Sequence, residues 1–187
     1  METKSHYFWA ARLPDEAKHA IHARLGPKQS DFQFKRWVHE DDYHITLAFL
    51  GYAEPQQLDV SAEIIGQAIR DETSFPLAIN HIGVFGRGDN PRIFWGGMAR
   101  EERLFQLQTL VFKACLQAGF KLDKRPFTPH ITLARNWSGE SFERQWLAEH
   151  NPFKDEIPFS VNEVVLYRTK MGSAPKYETV TNLLLNR

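Results

Sequence analysis

Apolar and polar positions alternate with two different periods along the chain, and the changes of period mark out short strands and helices. YFWAARL, residues 7 to 13, is a continuous apolar run, and the Pro14 after it can open a helix, so DEAKHAIHARL reads as a helix ending at Gly26. A polar and acidic stretch leads to Asp42, after which HITLAFL reads as a strand closed by Gly51, followed by a helix over EPQQLDVSAEIIGQAIRDE. FPLAINHIGVFG (75 to 86) and RIFWGGM (92 to 98) are strands joined by the turn-forming GRGDNP. Leu104, Leu107, Val111, Ala114 and Cys115 recur at helical spacing within a helix over 101 to 119 that stops at Gly119. HITLA then returns, followed by a helix around SFERQWLAEH and strands IPFSVNEVVLYRT and KYETVTNLLL.

The second HITLA begins at His130, 86 positions after His44. A second match lies nearby. Setting FPLAINHIGVF over IPFSVNEVVLY at an offset of 82 pairs Pro76 with Pro158, Asn80 with Asn162, Val84 with Leu166 and Phe85 with Tyr167. Two features repeated in the same order at nearly the same separation imply two related halves. The order of elements predicts an α+β fold: two pseudo-symmetric lobes of antiparallel sheet with outer helices around a central cleft. No linker divides the chain, so residues 1 to 187 are expected to form one bilobal domain with an HxTx motif in each half, at 44–47 and 130–133.

Alternation along a strand sets His44, Thr46 and Ala48 on one face and Ile45, Leu47 and Phe49 on the other, which the bulky apolar set marks as the core side. The same parity pairs His130 with Thr132, opposite Ile131 and Leu133. Packing accounts for repeated Ile and Leu. It does not require the outward His and Thr to repeat as well. Two imidazoles facing one point form an acid and base pair near neutral pH, and threonine hydroxyls beside them suit the non-bridging oxygens of a phosphoryl group. The alternative is that each histidine is a partly buried strand residue held by a backbone partner.

Lys plus Arg and Asp plus Glu number 23 each, so no global field favours wrapping a long duplex. The balance shifts locally, since Lys121, Lys124, Arg125 and Arg135 stand against Asp123 alone between 121 and 135. HxT supplies one imidazole per strand without HExxH or CxxC spacing, so neither a metal nor another cofactor is expected; His19 and His22, three apart on the first helix, have the spacing of a metal pair, with a solvated face the commoner use of such a pair. GVFGRGDN has neither the spacing of a phosphate loop nor the helix that should follow one. Cys115, the single cysteine, is expected to be a packed core thiol. No segment approaches the roughly 18 apolar residues of a membrane span, and METKSHYFWAARLPDE lacks the regions of a signal peptide, so a cytoplasmic protein is expected.

YFWAARLP, HITLAFLG, GVFG followed by PRIFWGG, and FTPHITLAR occur in an order that resembles the two-histidine phosphoesterase superfamily, and within it the bacterial RNA 2',3'-cyclic phosphodiesterases, also called 2'-5' RNA ligases. The resemblance covers nearly the whole chain. It implies the LigT-like bilobal fold and opening of a 2',3'-cyclic phosphate at an RNA 3' end to leave a 2'-phosphate, with no metal. By that resemblance His44 is the proton donor to the leaving 3' oxygen, His130 the base that activates water, and Thr46 and Thr132 bind phosphate oxygens. Arg135 is a further anchor that needs a bend to reach the cleft, because strict alternation turns it away. Phe8, or Tyr7 beside it, offers a stacking surface for a terminal base, with plain core packing the alternative use for at least one of them, and Arg36 and Arg125 are candidates to line the groove. Relatives often carry a basic residue where this chain has Ala48. The implied partner is an RNA 3' end or a nucleotide bearing the cyclic phosphate; no protein partner is implied, and a monomer is expected. Two alternatives share the residues: ATP-independent 2'-5' ligation or hydrolysis of a small cyclic phosphate, and binding of RNA ends without catalysis.

Overall fold

The computed structural model describes residues 5 to 187; the first four residues, part of the opening segment weighed above as a leader, lie outside the described residues. Among the described residues nine strands form one antiparallel sheet. They are β1 (Tyr7–Arg12), β2 (Phe34–Trp37), β3 (His44–Gly51), β4 (Phe75–Gly86), β5 (Pro91–Met98), β6 (Ile131–Trp137), β7 (Ile157–Val161), β8 (Glu163–Thr169) and β9 (Tyr177–Leu184). The helices are α1 (Asp15–Leu25), α2 (Pro55–Ala68), α3 (Glu102–Gln117) and the short α4 (Gln145–Glu149). Across the sheet the order is β7, β4, β5, β6, β3, β1, β8, β9, with β2 added against β6.

That order contains a pseudo-twofold. β6, β5, β4 and β7 on one side match β3, β1, β8 and β9 on the other, and the halves meet at a single pair, Ile45 opposite Ile131. The lobes are not the two halves of the sequence. β4, from the first half, lies beside β5, while β8, from the second, lies beside β1, so each repeat lends a strand to the other lobe. The offset of 82 between FPLAINHIGVF and IPFSVNEVVLY reflects this exchange, since β4 and β8 hold equivalent places. The run IPFSVNEVVLYRT is accordingly two strands: β7 pairs with β4, the chain leaves that lobe at Asn162, and β8 pairs with β1.

The helices cover one face. Ile21 and Leu25 of α1, Leu58 and Ile65 of α2, and Leu104, Leu107, Val111 and Cys115 of α3 join Trp9, Ile45, Leu47, Phe94, Ile131 and Leu133 of the sheet in one core. Amphipathic spacing explains α3: its buried positions are the apolar stripe of the sequence, Glu101 caps it by accepting from the Arg103 amide, and Gly119 ends it in a left-handed turn at φ 86°. Cys115 is buried, and desolvation pushes its thiol up to about 12. Two departures from periodicity occur. SFERQWLAEH is helical only over the single turn of α4, and the polar run before Asp42 contains β2, a strand too short for a period to register. Phe34 of β2 stacks on Phe94 at 5.1 Å, and Trp37 meets the same ring edge on at 6.1 Å, which ties this strand to the core.

Candidate active site

β3 and β6 each break their pairing at the same point of the HITLA repeat. Against β1, Thr46 pairs with Ala10 and Ala48 with Trp9, leaving Leu47 as an extra residue; against β5, Thr132 pairs with Trp95 and Ala134 with Phe94, leaving Leu133 extra. An extra residue of this kind resets the alternation beyond it. Ala48 and Ala134 therefore turn into the core along with the leucines, and the residues after them return to the opposite face. Two expectations from strict alternation are corrected. Ala48 does not face the cleft, and Phe49, expected in the core, is 56% exposed on the cleft face. Arg135 gains the bend it needed and lies on the side of His130 and Thr132, at the place that Phe49 holds in the other lobe.

The Ile45–Ile131 pair joins the two motifs at their centres. Continuing that antiparallel register one step either way sets His44 beside Thr132 and Thr46 beside His130, all on the face away from the core. Both imidazoles are held in the same way. His44 Nδ1 donates to the carbonyl of Asp42 at 2.7 Å, and His130 Nδ1 donates to the carbonyl of Thr128 at 2.7 Å, each partner standing two residues earlier. With Nδ1 carrying the proton, Nε2 of each neutral ring is the free base. Thr46 Oγ1 donates to His44 Nε2 at 3.1 Å.

Aromatic walls surround both histidines. Phe8 lies 4.8 Å from the His44 ring, Tyr177 meets it edge on at 5.2 Å, and Tyr167 stands at 5.8 Å. Phe85 meets His130 edge on at 4.9 Å, with Trp95 at 6.3 Å. Tyr167 and Phe85 are the pair aligned by the 82-residue repeat, so the internal match carried site information. Desolvation by these walls lowers His44 to about 4, opposed by its bond to the Asp42 carbonyl and assisted by the charges of His130 and Arg135. It lowers His130 as well, with Arg135 contributing in the same direction. Arg135 also acts on the Tyr177 hydroxyl, which desolvation pushes up, so its influence extends from β6 to the strand at the far edge of the other lobe.

The lobes solve one packing problem in opposite ways. Where the first has Ala10 paired with Val165, the second has Trp95 paired with Gly83. A Cβ on Gly83 would lie 2.2 Å from Trp95 Cζ2, so the glycine of GVFG is what lets the indole of FWGG lie flat on the sheet beside His130.

A family model described as the 2'-5' RNA ligase superfamily matches residues 10–172. The chain belongs to that superfamily. A superfamily relative from Bacillus subtilis (strain 168), named RNA 2',3'-cyclic phosphodiesterase, is 31% identical over 186 residues, 99% of each chain. A Geobacillus stearothermophilus protein of the same name is 46% identical over 177 residues, 95% of this chain and 56% of its own, so the chain spans little more than half the length of that relative. The crystal structure of Escherichia coli LigT complexed with 3'-AMP superposes over 98% of this chain and 99% of that one with a TM-score of 0.77 at 23% identity, which shows a common fold.

Within this superfamily fold the expected residues fall as follows. His44, Thr46, His130, Thr132 and Arg135 come together on one face of the sheet. Phe8 does not provide the open stacking surface expected of it: it is 4% exposed, packed among Tyr167, Tyr177 and the His44 ring, and it serves as the floor under that histidine. Arg125 is drawn to Asp123 at 2.6 Å in an exposed pair. Arg36 lies directly opposite Arg135 in the β2–β6 register. Sequence reasoning missed Asp42, whose buried carboxylate accepts from the amides of Lys176 (2.8 Å) and Tyr177 (3.0 Å) while its carbonyl holds His44. Asp42 thereby fixes the first histidine and the start of β9 with one residue. Its only sequence signal was its place two positions before His44, the place Thr128 holds before His130.

Proposed function

We propose that this protein hydrolyses 2',3'-cyclic phosphate at RNA 3' ends to the 2'-phosphomonoester, with His44 and His130 as an acid and base pair. The observation that carries the reading is the single Ile45–Ile131 pair, which gathers two imidazoles and two threonine hydroxyls on one face of the sheet. The names of the Bacillus and Geobacillus relatives support the substrate class.

His130 Nε2 takes a proton from water as its oxygen attacks phosphorus, and the bond from phosphorus to O3' breaks. His44 Nε2 gives its proton to the departing O3', and the phosphate stays on O2'. Desolvation and Arg135 favour the neutral form of both rings. A bound phosphate anion offsets the positive charge of Arg135 and favours the proton on His44, so the acid is charged together with substrate binding. Thr46 exchanges its bond to His44 for one to a non-bridging oxygen, Thr132 donates from the other strand, and Arg135 balances the charge that builds in the transition state. Removing one preorganised donor of this type costs on the order of 10²-fold to 10³-fold in rate.

The test is incubation of a nucleoside 2',3'-cyclic phosphate with the protein and a chelator, with the product read by phosphorus NMR. A 2'-phosphate formed at an undiminished rate is expected. A 3'-phosphate product, or a strict requirement for a divalent metal, overturns the reading.

A further inference from the structure

Arg36 and Arg135 face each other directly across β2 and β6. Directly opposed residues of an antiparallel pair share a face, and β6 has been turned so that Arg135 looks into the cleft, so Arg36 extends the same surface one strand further from the histidines. Like charges in that arrangement repel and weaken a sheet. None of the ion pairs among the described residues involves either arginine. The repulsion is not relieved by mobility either. β2 is held by Phe34 and Trp37 against Phe94, by the Val38 amide on the Leu133 carbonyl at 2.9 Å and by the Ser138 amide on the Gln33 carbonyl at 2.8 Å. Two arginines at directly opposed positions of the β2–β6 pair, neither in an ion pair among the described residues, suit an anion that both can reach.

We propose that Arg36, with Arg135, binds the internucleotide phosphodiester immediately upstream of the cyclic phosphate, making this a second phosphate subsite that favours RNA ends over mononucleotides. The inference rests on the cyclic phosphodiesterase reading. Arg135 stands between the two phosphates: it acts electrostatically on both histidines and Tyr177, whereas Arg36 is absent from the groups that perturb either histidine. Arg36, on β2 beyond β6, is assigned the upstream contact alone.

Wild type, Arg36→Gln and Arg36→Lys are compared on cytidine 2',3'-cyclic phosphate and on the dinucleotide CpC ending in the cyclic phosphate, the latter also with a neutral methylphosphonate linkage. Arg36→Gln is expected to lower kcat/KM on the charged dinucleotide about tenfold, the size of one charge-assisted contact to phosphate, and to leave the mononucleotide rate unchanged. Arg36→Lys falls between, and the methylphosphonate dinucleotide is expected to be insensitive to all three. Equal loss on mononucleotide and dinucleotide overturns the subsite, because Arg36 would then act on the cyclic phosphate itself; no loss on either overturns it as well. Titration of wild type and Arg36→Gln with the unreactive 3'-phosphorylated CpC and with cytidine 3'-phosphate reads the same contact by affinity. A failure of hydrolysis is thus distinguished from a failure of the subsite: a tenfold loss confined to the dinucleotide supports it, and equal affinities contradict it.

Discussion

Replacing Gly83 by alanine perturbs the candidate site through one methyl group. The new Cβ would stand 2.2 Å from Cζ2, 2.4 Å from Cη2 and 2.7 Å from Cε2 of Trp95. Carbon atoms pack at about 3.5 to 4.0 Å, so the indole must lift by roughly 1.5 Å. Lifting it disturbs the tilted contact with Phe85 at 5.0 Å and the wall beside His130 at 6.3 Å. Overpacking of this kind costs about 1 to 3 kcal/mol, and the half-exposed indole puts the expectation near 1 to 2. Alanine itself is better than glycine in a strand by roughly 0.5 to 1 kcal/mol. In a Trp95→Ala background the clash is gone and the same substitution should be neutral or stabilising, giving a coupling of about 1 to 2 kcal/mol between the two positions. Urea denaturation of the four proteins of this cycle measures it, and kcat on a cyclic nucleotide should fall in Gly83→Ala as the wall of His130 shifts. A Gly83→Ala protein within 0.5 kcal/mol of wild type, with no coupling to Trp95, would refute the claim that the glycine exists to seat the indole.

Three further outcomes follow from the site. Because His44 is lowered to about 4 in the folded protein against about 6.5 unfolded, its contribution is full above pH 6.5 and is lost as pH falls toward 4; this group should account for a loss on the order of 2 kcal/mol between pH 7 and pH 5, and His44→Asn should reduce the slope by that amount in urea titrations. Asp42→Ala leaves the buried amides of Lys176 and Tyr177 without an acceptor and should cost about 2 to 4 kcal/mol in the same measurement, with kcat reduced as His44 and Tyr177 lose their common anchor. Arg135→Gln removes a cation that lowers His130, so the acid limb of the kcat/KM profile should move to higher pH as the rate falls; a limb that stays in place would show that the arginine acts only as a phosphate contact.

The residues gathered on the cleft face are more legible in the chain than its topology. Repetition of HITLA marked His44, Thr46, His130 and Thr132, because a strand's period of two tells which side chains share a face as long as the pairing is regular. Beyond the threonines that assumption failed in both copies at once. The extra Leu47 and Leu133 are apolar residues in an apolar run and differ in nothing but their missing partners, which depend on β1 and β5. Strict alternation therefore misplaces Ala48 and Phe49, while Arg135 reaches the cleft side through the bend that it needed. The strand exchange between lobes was half visible in the offset of 82 between β4 and β8, yet a match of two segments does not say which neighbour each will choose. Phe8 was read from its chemistry as a surface for a base. Only packing shows that Tyr167 and Tyr177, distant in sequence, cover it.

The central claim is that the two HxT strands form one catalytic unit. Its most direct test is a double-mutant cycle in kcat/KM for a nucleoside 2',3'-cyclic phosphate, using His44→Ala, His130→Ala and the double variant. Groups that act as a unit are non-additive, so each single variant should lose nearly all activity, roughly 10²-fold to 10⁴-fold, and the double variant should be scarcely worse than either. Losses that multiply in the double variant, or either single variant turning over at the wild-type rate, would contradict the account.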